Sequence, residues 1–282
     1  FHISPDGFVV ISDLYSLQSY DSKGKIKWYA SDKNISDINM GILECFFDNK
    51  NNSYYLAHKA DLESPKNGEN IIFSLTGEGK IRWKKKLDGT DLVSFFNSFF
   101  PDTNNLIHEV FLLSFDSYEK DSYIERDDIT AFDIDGNQLW VYSMEREGYR
   151  AYTEGSYSIG KDKNFYLCYN HMKHDEANWE ENQANLICLS PEGKLVWKKT
   201  FPGVFDTAPV LDDQDHLYLS LSSSEDCFIS FYPDGTEKWR IKTERDMGFI
   251  DSLTLGPNRS LYGFSESLGR VFCIRDKDAV GK

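Results

Sequence analysis

The chain has 282 residues, with 46 acidic against 31 basic side chains and a formal net charge of −15. That balance gives no basic footprint for a phosphate backbone or an anionic membrane surface, so no nucleic-acid partner is expected. No apolar run approaches the roughly 18 residues of a membrane-spanning helix, and 15% aromatics with only 8 Pro describe a folded chain throughout.

Taken in order, the chain reads as short β-branched or aromatic runs bounded by Gly, Pro, Asp or Asn. A first group has strands at 8–12, 15–20 and 25–30, with 2–4 as a stub of an inner strand. A second has 41–47, 53–57, 70–75 and 80–85; a third has 93–99, 109–115, 129–133 and 138–143. The fourth has 154–159, 164–169, 185–189 and 194–199. In the fifth, the most compact, strands fall at 206–211, 216–221, 227–232 and 236–242. A sixth group has 249–255, 260–264 and 270–274 and no fourth strand.

The third and fourth strands of five groups repeat one device: SYDSKGKIKWYA, SLTGEGKIRWKK, AFDIDGNQLWVYS, CLSPEGKLVWKK and SFYPDGTEKWRI. In each, a Gly precedes a Trp by four positions: Gly24/Trp28, Gly79/Trp83, Gly136/Trp140, Gly193/Trp197 and Gly235/Trp239. The Gly supplies the positive φ of a tight hairpin turn, and the Trp can pack across a seam between neighbouring sheets. Units of about 40 residues and four antiparallel strands are the arithmetic of β-propeller blades. The expected fold is therefore all-β, a β-propeller of about six four-stranded antiparallel blades. The expected organisation is one domain over 1–282, with blades near 1–30, 41–87, 93–144, 154–200, 205–243 and 249–276. The fourth strand of the last blade would come from the start of the chain, from residues beyond this sequence, or be left out.

Five in-phase copies of strand, acidic-Gly turn and Lys-x-Trp strand resemble the pyrroloquinoline-quinone-type propeller repeat, over essentially the whole chain. That repeat occurs in quinoprotein alcohol dehydrogenases and in non-enzymatic relatives such as the propeller lipoprotein of the bacterial outer-membrane assembly machinery. The dehydrogenases of the family carry eight blades, a vicinal Cys pair beside the quinone and a calcium site with a catalytic Asp. The five cysteines here (Cys45, Cys168, Cys188, Cys227, Cys273) include no adjacent pair. No position matches the cofactor residues, so no cofactor and no catalytic or metal residue is assigned.

The cysteines read as small buried hydrophobes; Ala131 holds the place of Cys188 in the third copy. Cys168 and Cys188 fall on consecutive strands and could be neighbours, with a disulfide the lesser expectation. An odd number of cysteines favours a reducing compartment, whereas relatives are commonly exported. A cell-envelope or extracellular location is expected, with the cytoplasm as the alternative; since the sequence starts at Phe1, a preceding signal or anchor is left open.

Three second-to-third-strand connections are long: 58–69, 116–128 and 170–184. Loops on a rigid scaffold are where binding usually resides. Candidates for a binding face are Tyr118, Tyr123, Glu125, Asp127, His171, His174 and Trp179, acidic in surroundings and bearing aromatic anchors. His171 and His174 in HMKHDE could also hold a metal from one flexible loop, but no third ligand accompanies them. Glu44, Asn97, Glu154, Asp206 and Asp251 are candidates to line the central channel. The expected function is a non-catalytic, monomeric scaffold for a protein or peptide partner. The alternative is a carbohydrate-active hydrolase or lyase using paired channel carboxylates.

Overall fold

The computed structural model describes residues 2–12, 16–31, 40–59, 69–87, 99–101, 110–118, 125–144, 149–152, 157–173, 181–223, 227–242, 250–256 and 259–275. Six antiparallel sheets follow one another along the sequence, three in each of two compact units, Phe1–Met144 and Glu145–Lys282.

In the first unit, sheet one is β1 (His2–Ile3), β2 (Val9–Ser12), β3 (Ser16–Tyr20) and β4 (Ile26–Ser31). Sheet two is β5 (Met40–Phe47), β6 (Ser53–Lys59), β7 (Glu69–Leu75) and β8 (Ile81–Lys86). Sheet three is β9 (Phe99–Pro101), β10 (Val110–Tyr118), β11 (Glu125–Asp133) and β12 (Gln138–Ser143). In the second unit, sheet four runs β13 (Tyr149–Tyr152), β14 (Ser158–Ile159), β15 (Phe165–Lys173), β16 (Gln183–Leu189) and β17 (Leu195–Pro202). Sheet five runs β18 (Val204–Phe205), β19 (Val210–Leu211), β20 (Leu217–Ser222), β21 (Cys227–Phe231) and β22 (Glu237–Lys242). Sheet six is β23 (Ser252–Leu255), β24 (Ser260–Ser265) and β25 (Arg270–Arg275). The first strands of sheets four and five are broken: β13 and β14 both pair with β15, and β18 and β19 both pair with β20.

The repeated hairpin has one geometry throughout. Gly24, Gly79, Gly136, Gly193 and Gly235 all have φ between 73° and 80°. Each Gly N–H donates to the carbonyl three residues earlier, as in Gly24 to Asp21 at 2.9 Å. The ladder shifts by one residue at the same place in each copy, the signature of a type I turn closed by a glycine bulge. An Asp, Thr or Ser side chain at the head of most of these turns caps it; Asp133 Oδ1, for example, accepts from the Asp135 and Asn137 amides.

Opposite each repeat Trp the third strand carries a small residue: Ser19, Ser74, Ala131, Cys188 and Ser230, all fully buried. This leaves room for the indole to reach the next sheet. Trp28 lies over Gly79, where an added Cβ would come within 2.6 Å of the ring, and its Nε1 donates to Gly77 O at 3.1 Å. Trp83 treats Gly136 the same way and donates to Ile134 O at 2.9 Å. Trp197 repeats it on Gly235 and Pro233 O, at 3.0 Å. The turn glycine thus serves twice, for its φ and for its bare Cα.

These seams are the core. Between sheets one and two pack Phe8, Val10, Leu17, Phe47, Tyr55 and Phe73; Phe46, Tyr54, Leu56, Ile72 and Phe132 join sheets two and three. Cys168, Leu186, Phe205, Leu219 and Ile229 join sheets four and five, and Tyr218, Phe228, Ile250 and Leu261 join five and six.

Residues 2–3 pair with β2 as the inner strand of their own sheet, as expected, and so are not the fourth strand of the sixth. One expectation changes. Cys273 is exposed rather than buried. It lies on β25, whose alternating exposure matches the outermost strands β8 and β12. β25 carries Arg270 and Arg275 at its ends, the composition of a protected edge. Cys168, Cys188 and Cys227 are buried and outside any disulfide, as small core residues should be. Burial first, and then the Asp162 charge, pushes the Cys188 thiol up to about 12.

Candidate functional site

The second-to-third-strand connections are partly hairpin rather than loop. In sheet two the ladder runs out to His58↔Asn70 and Lys59↔Glu69. In sheet three it continues through Asp116↔Asp127 to Tyr118↔Glu125, so Tyr118 ends β10 while Glu125 and Asp127 lie in β11. In sheet four it reaches His171↔Gln183. Sheet five has a short version, with β20 ending at Ser222 and β21 starting at Cys227. Polar composition suggested loops here, but backbone pairing needs no apolar side chain to continue. Tyr123, His174 and Trp179 lie outside the described residues, as do Asn97 and Glu154.

His171 corrects the loop reading. It sits within β15, only 3% exposed, because β13 flanks it on one side (Ala151↔His171) and β16 on the other. Its ring stands 6.0 Å from that of Tyr149 and 5.2 Å, edge-on, from that of Tyr169. Lys198 Nζ donates to the Tyr169 hydroxyl at 2.8 Å. Asn185, fully buried, is fixed by three contacts. Its Nδ2 donates to Gln183 O at 3.1 Å and stands 3.5 Å from His171 Nδ1, and its Oδ1 accepts from Thr200 at 3.0 Å. Among the described residues no cluster of metal-ligating side chains is present.

Asn170, next to His171 and on the other face of β15, performs a different task. Its amide donates to Phe205 O at 2.9 Å and accepts from Phe205 N at 2.8 Å. It thereby imitates a strand neighbour for β18 in the next sheet and fixes where the inner strand of sheet five begins. Lys173 and Glu181 close the far end of the hairpin as an ion pair. The result is a polar, hydrogen-bonded end to the β15–β16 hairpin. Sequence reading missed Tyr149, Asn185, Lys198 and Thr200. The available signal was Asn170 and Asn185 interrupting otherwise apolar strands, because a buried amide must find partners.

Two of the proposed channel carboxylates are engaged with backbone. Asp206 is 8% exposed, and its Oδ2 accepts from Ile250 N at 3.4 Å. Asp251 is exposed, and its Oδ2 accepts from Glu266 N at 2.6 Å. Glu44 lies in β5 opposite Leu56.

At the opposite end of the sheets, polar staples join neighbouring turns. Asp48 accepts from Tyr54 OH at 2.9 Å, and Arg82 donates to that hydroxyl at 3.0 Å while reaching Asp135 of sheet three. Burial, and then the Asp48 charge, holds the Tyr54 phenol well above its ordinary range. In the second unit Asp212 accepts from His216 Nδ1 at 2.9 Å and Tyr218 OH at 3.0 Å, with Arg259 Nε at 3.5 Å. Burial pushes the Asp212 carboxyl up, but the amides of Gln214 and His216, the His216 ring and the Tyr218 hydroxyl outweigh it, so its net pKa is lowered.

No family model and no curated protein matches the chain. Among solved structures it is similar to the Dos1 propeller, at TM-score 0.56 and 10% identity, covering 91% of this chain and 61% of that one. It is also similar to a catalytically inactive virginiamycin B lyase from Staphylococcus aureus with quinupristin. There the TM-score is 0.53 with 13% identity, covering 97% of this chain and 82% of that one. A selenomethionine form of the same lyase gives 0.52 and 13% over 98% and 83%. These likenesses establish the fold: the chain is a β-propeller.

Proposed function

We propose that this chain is a non-catalytic propeller scaffold that binds a protein or peptide partner through its second-to-third-strand hairpins. The observation that carries this reading is the β10–β11 hairpin, whose ladder sets Asp116 directly opposite Asp127 and Tyr118 opposite Glu125. Like charges facing across a ladder are unfavourable by themselves, and a cationic segment relieves the repulsion. The partner is therefore a Lys- or Arg-bearing segment, anchored by Tyr118, Tyr123 and Trp179. The polar base around His171 and Asn185 supports the hairpin end in sheet four. The seam of indole on turn glycine supports kinship with the pyrroloquinoline-quinone-type repeat. The similar structures include a lyase as well as the Dos1 propeller, so fold alone does not choose between classes.

Fluorescence anisotropy with length-matched Lys/Arg-rich, neutral and Asp/Glu-rich peptides tests the reading. Binding of the basic peptide that weakens with salt, and weakens further when Tyr118, Tyr123 and Trp179 are changed to Ala, is the expected result. Equal binding of all three peptides would overturn it. So would glycan turnover abolished by Asp206→Asn.

A further inference from the structure

Three first-to-second-strand turns share one geometry: 48–52 in sheet two, 160–164 in sheet four and 212–216 in sheet five. In each, the amide of the leading residue donates to the carbonyl four residues on, and the amide of the fourth residue returns to the leading carbonyl. That fourth residue, Asn51, Lys163 or Asp215, has φ of 63°, 65° or 61°. In sheets two and five the leading residue is an Asp. Asp48 Oδ1 accepts from the amides of Lys50 and Asn52 at 2.9 and 2.8 Å, and its Oδ2 accepts from the hydroxyl of Tyr54 at 2.9 Å. Asp212 does the same for Gln214, His216 and Tyr218, at 2.8, 2.9 and 3.0 Å.

Sheet four has Gly160 in that place, and its Tyr166 lacks the acceptor that Tyr54 and Tyr218 possess. Tyr166 is 0% exposed, and its hydroxyl is sealed without a hydrogen bond of good geometry, the neighbouring Cys188 thiol included. A buried polar group in that position is costly until something satisfies it. Two carboxylates occupy the room of the missing side chain. A Cβ on Gly160 would meet Asp162 Oδ1 at 2.9 Å, the Tyr166 ring at 3.0 Å and Asp215 Oδ2 at 3.5 Å. Asp162 belongs to the same turn and accepts from the Asn164 amide at 3.0 Å; Asp215 comes from the turn of sheet five and accepts from the Lys161 amide at 2.9 Å. Burial first, then the Cys188 thiol and these two charges, hold the Tyr166 phenol well above its ordinary range, so the hydroxyl lies within their field.

The seam between sheets five and six treats its carboxylates differently. There Arg259 sets its guanidinium on Asp212 and Asp213, at 3.5 and 3.1 Å. Between sheets four and five no basic side chain among the described residues stands within ion-pair distance of Asp162 or Asp215, and Lys161 Nζ donates instead to the Asp213 carbonyl. We propose that a calcium ion binds at this seam, bridging Asp162 of sheet four and Asp215 of sheet five, with the Tyr166 hydroxyl accepting from a water on the ion. Among the described residues no three His, Cys, Asp or Glu side chains converge, which excludes a zinc-type site. Calcium takes oxygen ligands and fills the rest of its shell with main-chain carbonyls and water. The site lies within the second unit and does not depend on the role of the acidic hairpins.

The probe is calcium itself, added to the intact, chelator-stripped chain while thermal unfolding is followed. The midpoint is expected to rise saturably with calcium. Asp162→Asn and, separately, Asp215→Asn are each expected to weaken the apparent affinity about tenfold or more, because each removes one charged ligand. Folding is retained in both, as circular dichroism would verify, since Asn keeps the Oδ1 acceptor and tolerates the positive φ at 215. Tyr166→Phe is expected to weaken it by about threefold, the scale of one neutral hydrogen bond. Asp127→Asn, on the β10–β11 hairpin, is expected to change nothing. No saturable rise, a rise that survives both seam substitutions, or one that Asp127→Asn abolishes overturns the proposal.

Discussion

Sheets one and two are built from nearly the same hairpin, yet where sheet two buries Phe47 and Tyr55 in its seam with sheet one, sheet one carries the aliphatic Ile3 and Ile11. The difference does not lie in the local fold, since turn, register and glycine φ agree. A blade buries its two faces by two separate events, and the repeat encodes half of each. One sheet brings the indole; the next brings the glycine that receives it.

The largest effect that sharpens this comparison is expected from Gly79→Ala set against Gly24→Ala. Both place a side chain at φ +77°, which costs about 1–2 kcal/mol. Only Gly79→Ala also drives a methyl into the Trp28 ring, adding roughly 1–3 kcal/mol of overpacking. Urea unfolding should therefore shift the midpoint clearly more for Gly79→Ala; equal shifts would mean that the indole gives way freely.

Next comes the polar staple between sheets five and six. Asp212 has its pKa lowered in the folded chain, so its stabilisation is present above the unfolded Asp value near 4 and is lost as pH falls below it. Asp212→Asn is expected to destabilise the protein at pH 7 by about 1–3 kcal/mol, the scale of hydrogen bonds to a charged group. The gap from the parent should narrow towards pH 2 in thermal melts across that range. A gap independent of pH would assign the loss to packing.

A smaller effect separates two indoles. Trp83→Phe loses the bond to Ile134 O, worth about 1 kcal/mol. Trp239 Nε1 is sealed from solvent and finds no hydrogen-bond partner among the described residues, so Trp239→Phe should be neutral or slightly stabilising. The difference between the two unfolding free energies is the measurement, and a larger cost for Trp239→Phe would count against the seam as described. Last, alkylation of the native chain followed by peptide mass analysis should label Cys273 quickly. Cys168, Cys188 and Cys227 should react only after unfolding, with no stability change on modifying Cys273.

Much of the fold was legible because its signals are local. A Gly four residues before a Trp states a turn and an outward-reaching indole within one hairpin, and five copies state a repeat. The place of Cys188 opposite Trp197 followed from its alignment with Ala131. The candidate site was less legible, for a physical reason. Polar residues at 116–118, 125–128 and 170–173 looked like loop, yet strand pairing is a property of the backbone and carries such residues without objection. His171 became a core residue only because β13 returns beside it, and a sequence does not announce which distant strand will do so.

By itself, then, the sequence determined the hairpin, the φ of its glycines, the antiparallel order within each sheet and the acidity of the connections. These depend on residues within about a dozen positions of one another. Tertiary structure alone decided which faces are covered. It buried His171, exposed Cys273 and engaged Asp206 with Ile250. Burial belongs to pairs of surfaces, and the second surface is contributed by residues that no local pattern names.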